Sequence, residues 1–379
     1  MTHRRCAALV RAAALILVLC SGFSCSGGGR YGNRGWVAPP QQQAPPLAVV
    51  PAPPAPVRQT PVAPLPPVPA IALTPTAHPE ALNLLVQAAR SGAPIVRAHA
   101  LEALVCTPAS LALVAPAALG DVNPGVRFVA LMAVGEARCT DLLPIVEPLL
   151  LDDNASVRCA AIFCLNSLGR QVDQTPLAEA LYSSDPTLCG NGVLILGLLG
   201  NGSAAGLLRE AVEGESAHAD PAQSRILELQ VAEALVLLGD RTYLDAIHAA
   251  LFAPAEQSEM IMLGCQICGN IRDPDSGQML LRLLEAPPPF QRPIEIRLAA
   301  AESLIQTGAR AQERCLALAQ AGAVEPDPLI RAQAASLFGR LGGPMAVQEL
   351  ERLLRDESPV VQIAASAALN RIDTGCTAR

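Results

Sequence analysis

The sequence contains no lysine; all 27 of its basic residues are arginine. Arginines gathered into a patch would supply bidentate contacts to phosphate or carboxylate, but these are dispersed along the chain. The bias instead matches the codon usage of a GC-rich genome, which also enriches alanine, glycine and proline. Aromatic residues make up only 3% of the 379, with a single tryptophan, Trp36. Alanine and leucine carry the apolar content, which favours close-packed helices over a β-sandwich or barrel. Charged residues stand at 16%, against about a quarter in ordinary soluble proteins.

Acidic residues are missing altogether before Glu80. Six arginines (Arg4, Arg5, Arg11, Arg30, Arg34, Arg58) precede it, so that stretch carries +6. The whole chain carries −7, which leaves −13 for everything from Glu80 onward. An acidic body without tryptophan lacks the cationic surface on which nucleic-acid affinity rests.

The N-terminal pattern reads as a targeting segment over residues 1–24. Arg4, Arg5 and Arg11 form a basic lead, Ala12 to Leu19 a short apolar run, and small residues follow. The run is too short to span a bilayer, which takes roughly 20 apolar residues. Gly22-Phe23-Ser24-Cys25 leads into Ser26 and three glycines. A small residue before a cysteine and a Gly/Ser run after it resembles the bacterial lipoprotein processing site. That resemblance implies acylation of Cys25, with Cys20 as the alternative, and anchoring by the acyl chains. Leu stands three residues before Cys20, whereas Gly22 holds that place before Cys25. Residues 25–79 turn proline-rich, with Pro45-Pro46, Pro53-Pro54 and Pro66-Pro67. Proline removes backbone donors and blocks helix, so an extended tether reaching on the order of 150 Å is expected. Tyr31 and Trp36 fall within it.

From residue 80 to 379 one pattern recurs. An aliphatic residue is followed by Arg, a small residue three positions later, then an aliphatic residue and a closing glycine. Val157-Arg158 with Ala161, Leu165 and Gly169 shows it in full, as do Ile296-Arg297 with Ala300, Leu304 and Gly308, and Ile330-Arg331 with Ala334, Phe338 and Gly342. Val96-Arg97 and Val126-Arg127 open further copies. Such steps place the set on one helix face, and the glycine offers a left-handed stop. An Asp precedes the helix in most copies (Asp121, Asp152 or Asp153, Asp185, Asp327, Asp356), where it is expected to cap the incoming helix. A second apolar helix joins successive copies, for example Leu142 to Leu151 or Met279 to Leu284. Each unit is then a helical hairpin of about 30 to 35 residues, in the range of helical repeat arrays. About nine such units fit.

The Asp-turn-aliphatic-Arg-x-x-Ala frame resembles HEAT repeats, specifically the short bacterial type named after phycobilisome lyases. The resemblance implies an all-α solenoid over roughly residues 80–373. It also implies that Arg97, Arg127, Arg158, Arg297 and Arg331 form a structural ladder with Asp121, Asp152, Asp327 and Asp356. Deoxyhypusine hydroxylase, another relative of this fold, binds two irons with repeated His-Glu pairs. Here His99, His218 and His248 all precede alanine, so that chemistry is not expected.

Cys265-Gln266-Ile267-Cys268 is a lone C-x-x-C without a second pair, and its apolar flanks read as a buried helix. Nine cysteines follow Cys25, so at least one stays outside any intrachain disulfide. Asp273-Pro274-Asp275-Ser276-Gly277 reads as a turn; it lacks the spaced ligands and closing Glu of a calcium loop. Glu213–Gln223 and Glu285–Pro293 break the repeat spacing, and Phe290 in the second is the expected partner contact. The sequence thus points to a non-catalytic, exported, lipid-anchored scaffold in the cell envelope. It binds a protein or peptide and uses no cofactor, metal, nucleic acid or small-molecule substrate. An enzyme or enzyme-accessory subunit of the lyase-like type is the alternative.

Overall fold

The computed structural model describes residues 77–213 and 221–376. The targeting segment, Cys20, Cys25, the tether with Tyr31 and Trp36, and the insertion's residues 214–220 lie outside them. Among the described residues there are eighteen α-helices and no strands.

The helices alternate between two layers. The outer set is α1 (Pro79–Ala88), α3 (Pro108–Leu119), α5 (Leu143–Val146), α7 (Thr175–Leu181), α9 (Ala204–Glu213), α11 (Leu244–Ala250), α13 (Gly277–Glu285), α15 (Gln312–Gly322) and α17 (Gly343–Leu353). The inner set is α2 (Pro94–Ala103), α4 (Pro124–Ala137), α6 (Ala155–Ser167), α8 (Pro186–Leu199), α10 (Pro221–Leu237), α12 (Ser258–Asn270), α14 (Ile294–Thr307), α16 (Pro328–Leu341) and α18 (Pro359–Thr374). Each odd–even pair is one hairpin, nine among the described residues. Every inner helix packs on the next, while successive outer helices barely touch. That asymmetry is what a curved stack requires.

Proline at the first helical turn starts many of these helices, among them α1, α2, α4, α8, α16 and α18. Its missing N–H lies where no intrahelical partner exists anyway. Left-handed glycines close α8 (Gly200), α14 (Gly308) and α18 (Gly375). The expected long helix over Leu142–Leu151 is instead a 3-10 turn, the four-residue α5 and a second 3-10 turn. Pro144 and Pro148 interrupt the backbone ladder there. The Asp residues also act differently from expectation in three repeats. Asn123 and Asn154 cap α4 and α6. Asp121, Asp152 and Asp356 sit two residues before the cap position and bind the backbone N–H of Asn123, Asn154 and Ser358. Asp185 and Asp327 do cap α8 and α16.

The helical body closes on itself. The last helix, α18, packs against α1 and α2 as well as α16. Asn370 Nδ2 donates to the Ala103 carbonyl at 3.0 Å, and the His78 imidazole meets Asp373 at 2.8 Å. A disulfide joins Cys106 to Cys376 across 270 residues of sequence. The core shows the same closure. Its two buried clusters divide along α10, and they meet again where Ala81 joins the C-terminal cluster and Ile363 the N-terminal one. The inner helices therefore form an unbroken ring. Close approach within it depends on glycine: a Cβ on Gly339 would lie 2.6 Å from Ala368 Cβ.

Candidate functional site

The repeat arginines hold the turns. Arg97 is bidentate to Asp121 at 2.7 and 2.8 Å, and its Nη1 reaches the Ser91 and Gly92 carbonyls. Arg127 does the same with Asp152 at 2.8 and 2.7 Å and with the Asp121 carbonyl. Arg331 does so with Asp356, both bonds at 2.9 Å, and with Glu325 and Pro326. Each guanidinium thus ties its own turn to the next. Arg158 binds only the Asp152 and Asp153 carbonyls, and Arg297 the Leu284 carbonyl. Asp327 accepts the Leu329 N–H. These groups sit on consecutive turns and do not converge on a centre. Phe290 is 76% exposed, between α13 and α14.

Two groupings do converge. The first lies on helices of the inner set, which together make up the inner wall of the ring. Ser336 and Arg340 of α16 both donate to Glu302 of α14. Arg371 of α18 lies close enough to both charges to affect them. Burial would raise the Glu302 carboxyl, but Arg340, Ser336 and Arg371 outweigh it and hold it below the usual carboxylate range. Burial and then the like charge of Arg340 pull the Arg371 guanidinium down to about 10, with Glu302 opposing. Nη1 of Arg371 has no hydrogen-bond partner, an expensive state for a charged donor. On α2, burial pushes the Glu102 carboxyl up despite its contact with His99 at 3.4 Å, and His99 Nε2 has no hydrogen-bond partner. Glu302 keeps 20% of its side-chain surface and Glu102 18%. These residues carry a signal that the repeat reading passes over. Glu102 and Glu302 stand five places after Arg97 and Arg297, and Arg340 stands nine places after Arg331, where the apolar frame has no need of charge.

The second grouping joins the outer helix α11, the inner helix α12 and the turn that follows α12. His248 of α11 places Nε2 2.7 Å from Asp273 Oδ2. Cys268 of α12 brings its sulfur beside them, and the three donor atoms all lie within 4.8 Å of one another. Cys268 is fully buried and Asp273 2% exposed; the His248 side chain is 18% exposed. Burial first, with the charges of Asp273 and Glu233 adding to it and Ser276 opposing, pushes the Cys268 thiol up to about 12. Cys265, three residues back, is fully buried outside this grouping, its thiol likewise raised by burial. Among the described residues this is the one set of three metal-ligating side chains that gathers.

A family model for HEAT repeats matches residues 111–190 and 316–377. Together with the stacked helical hairpins, that decides the class. The chain carries HEAT repeats. Among curated relatives, a deoxyhypusine hydroxylase from Eremothecium gossypii is 27% identical over 259 residues, covering 59% of this HEAT-repeat chain and 78% of that protein. Solved structures that resemble it include the karyopherin Kap121p bound to Nup53p and the same karyopherin bound to the SUMO protease Ulp1p. Both are 13% identical, with TM-scores of 0.31 and 0.33. The chain spans 42% of their length, and they cover 78% of it.

The curated relative overturns three expectations drawn from the sequence. A HEAT-repeat enzyme matching over most of its length contradicts the non-catalytic scaffold, and with it the expectation that the chain is not an enzyme. It also contradicts the exported, lipid-anchored location, because deoxyhypusine hydroxylase is a cytoplasmic or nuclear protein. The physical reason for the error is that the repeat frame reports only on packing. Repeat residues that stabilise a scaffold stabilise an enzyme equally well.

Proposed function

We propose that this chain is a HEAT-repeat enzyme, or the accessory subunit of one, whose inner wall receives a cationic side chain of a polypeptide. The observation that carries this reading is the match to deoxyhypusine hydroxylase across 78% of that relative, an enzyme named for a residue whose side chain is a long amine. The charge of this chain suits such a ligand. The segment from Glu80 onward carries −13, and a net field of that sign concentrates cations near its surface. Glu102 and Glu302 supply carboxylates there, and Arg371 Nη1 supplies a donor for a backbone carbonyl of the same polypeptide. The finer assignment of the repeats to the phycobilisome-lyase type rests on the Asp-turn-Arg-x-x-Ala frame.

The paired irons of deoxyhypusine hydroxylase do not fit here. Their His-Glu pairs are missing, since His78 precedes Pro79, His99 precedes Ala100 and His248 precedes Ala249. The test is binding of a deoxyhypusine-bearing protein against its unmodified lysine form, read by fluorescence anisotropy, with intact-mass analysis of the ligand afterwards. Tighter binding of the modified form, weakened about tenfold or more by Glu302→Gln as loss of one charge-assisted contact predicts, supports the reading. A change in ligand mass places the chemistry on this chain, and selective binding without one assigns the accessory role. Equal affinity for both forms, or none for either, sinks it.

A further inference from the structure

We propose that His248, Cys268 and Asp273 form a site for one divalent cation of the zinc class. The ligands are His248 Nε2, Cys268 Sγ and Asp273 Oδ2. This goes beyond the inner-wall reading and stands or falls apart from it, because none of the three residues belongs to that wall.

The donor set is the first reason. An imidazole nitrogen, a thiolate and one carboxylate oxygen suit a borderline-soft cation, whereas calcium and magnesium select oxygen. Distance is the second. Zinc bonds of about 2.0–2.3 Å put tetrahedral donors roughly 3.3–3.7 Å apart. Here the nitrogen and the carboxylate oxygen lie 2.7 Å apart, and no pair of the three donors is farther apart than 4.8 Å. The required range lies between, so side-chain rotations moving donors by about 1 Å would build the site.

The surroundings are the third reason. Asp273 Oδ1 accepts the Asp275 N–H at 3.4 Å and lies 3.8 Å from the Arg241 guanidinium. That fixes one carboxylate oxygen and leaves Oδ2 turned toward His248. The fully buried Ser276 hydroxyl donates to the Asp273 carbonyl at 2.8 Å and also touches Cys268. Such outer contacts orient metal ligands. The residues also come from rigid elements: His248 and Cys268 from α11 and α12, and Asp273 from the N-cap of the 3-10 turn that leads into α13. Three protein ligands leave a fourth position, and the partly exposed His248 side is where water or a substrate group reaches it. Binding would release the Cys268 proton to solvent as the thiolate takes the cation.

The experiment uses the purified, untagged full chain, stripped with chelator. Zinc is titrated in competition with a chromophoric chelator, and cobalt(II) in a parallel sample reports thiolate ligation by its charge-transfer absorption. One equivalent of zinc and a thiolate–cobalt band are expected. Cys268→Ala should abolish the band and weaken zinc by about a hundredfold or more, the scale that even outer-contact losses approach. Cys265→Ala, on the same helix and equally buried, should leave both unchanged, which separates ligation from folding. Far-UV circular dichroism checks that each variant is folded. The absence of stoichiometric zinc binding, or a band that survives Cys268→Ala, would overturn the site and leave His248–Asp273 as an inter-repeat tie.

Discussion

Replacing Cys376 by serine tests how much the ring depends on its covalent seam. Chain-entropy arithmetic for the 270-residue separation gives about 5–6 kcal/mol at 25 °C, and native disulfides deliver nearer about 2–4. The smaller figure is appropriate here, because the seam is also held without the bond. Val361, Ile363, Ala365 and Leu369 of α18 are buried, as are Leu82 and Leu85 of α1. Asn370 and the His78–Asp373 pair add polar ties at the same place. A body of about 300 residues has an unfolding entropy near 0.6 kcal/mol/K, so the melting temperature should fall by about 3–6 °C. The loss should also be local. In a repeat array each unit contacts only its neighbours, so a weakened seam frays α18 and α1 before the opposite side of the ring responds. Hydrogen exchange of wild type and Cys376→Ser should therefore differ at α1, α2 and α18 and coincide from α6 to α10. Two results would refute the reasoning. One is twelve titratable thiols, every cysteine of the sequence, in the denatured, unreduced chain. The other is a uniform rise in exchange around the ring.

Gly339→Ala should destabilise by about 1–3 kcal/mol in urea unfolding, because the new methyl meets Ala368 at 2.6 Å and α16 must move off α18. Gly206→Ala, in helix α9 with nothing within 4 Å, should be neutral or gain up to about 1 kcal/mol; equal effects at both would contradict the packing account. Acid should weaken the ladder in a defined direction. The Arg331 contact holds the Asp356 carboxyl below its ordinary value, and Arg127 does so for Asp152 against the opposing effect of burial. A carboxyl lowered on folding contributes stability above its unfolded value near 3.9, and that stability is lost as pH falls through the folded value. Urea midpoints should thus drop below about pH 4, and the drop should be smaller in Arg331→Gln; an identical acid limb in that variant would remove the ladder from the explanation.

The repeats are legible in the sequence because helix periodicity, proline starts and glycine stops are local. Arg331, Ala334, Phe338 and Gly342 can be placed on one turn-and-helix without knowing what surrounds them. Closure is not local. It depends on a small rotation per repeat summed over nine hairpins, and no residue records that sum. Cys106 and Cys376 are two of nine cysteines after Cys25, and only the ring brings them together. The His248–Cys268–Asp273 grouping was hidden differently. Its cysteine reads as a core residue, which by burial it is, and its aspartate reads as a turn, which it also forms. The separation of 25 residues between His248 and Asp273 equals that of Arg127–Asp152 and Arg331–Asp356, a spacing signal that could have paired them. The inner wall was missed because Glu302 and Arg340 interrupt the apolar frame, and charges there look like errors of packing until the facing helices are in place.

Because α18 returns to α1 and α2, closure leaves no free end at which a repeat could be added without opening the seam. Nine units turning through about 40° each complete a circle. An open array can gain or lose a repeat by duplication and merely change length. This one cannot, since a tenth hairpin would separate Cys106 from Cys376 and strip the partner surface from both ends.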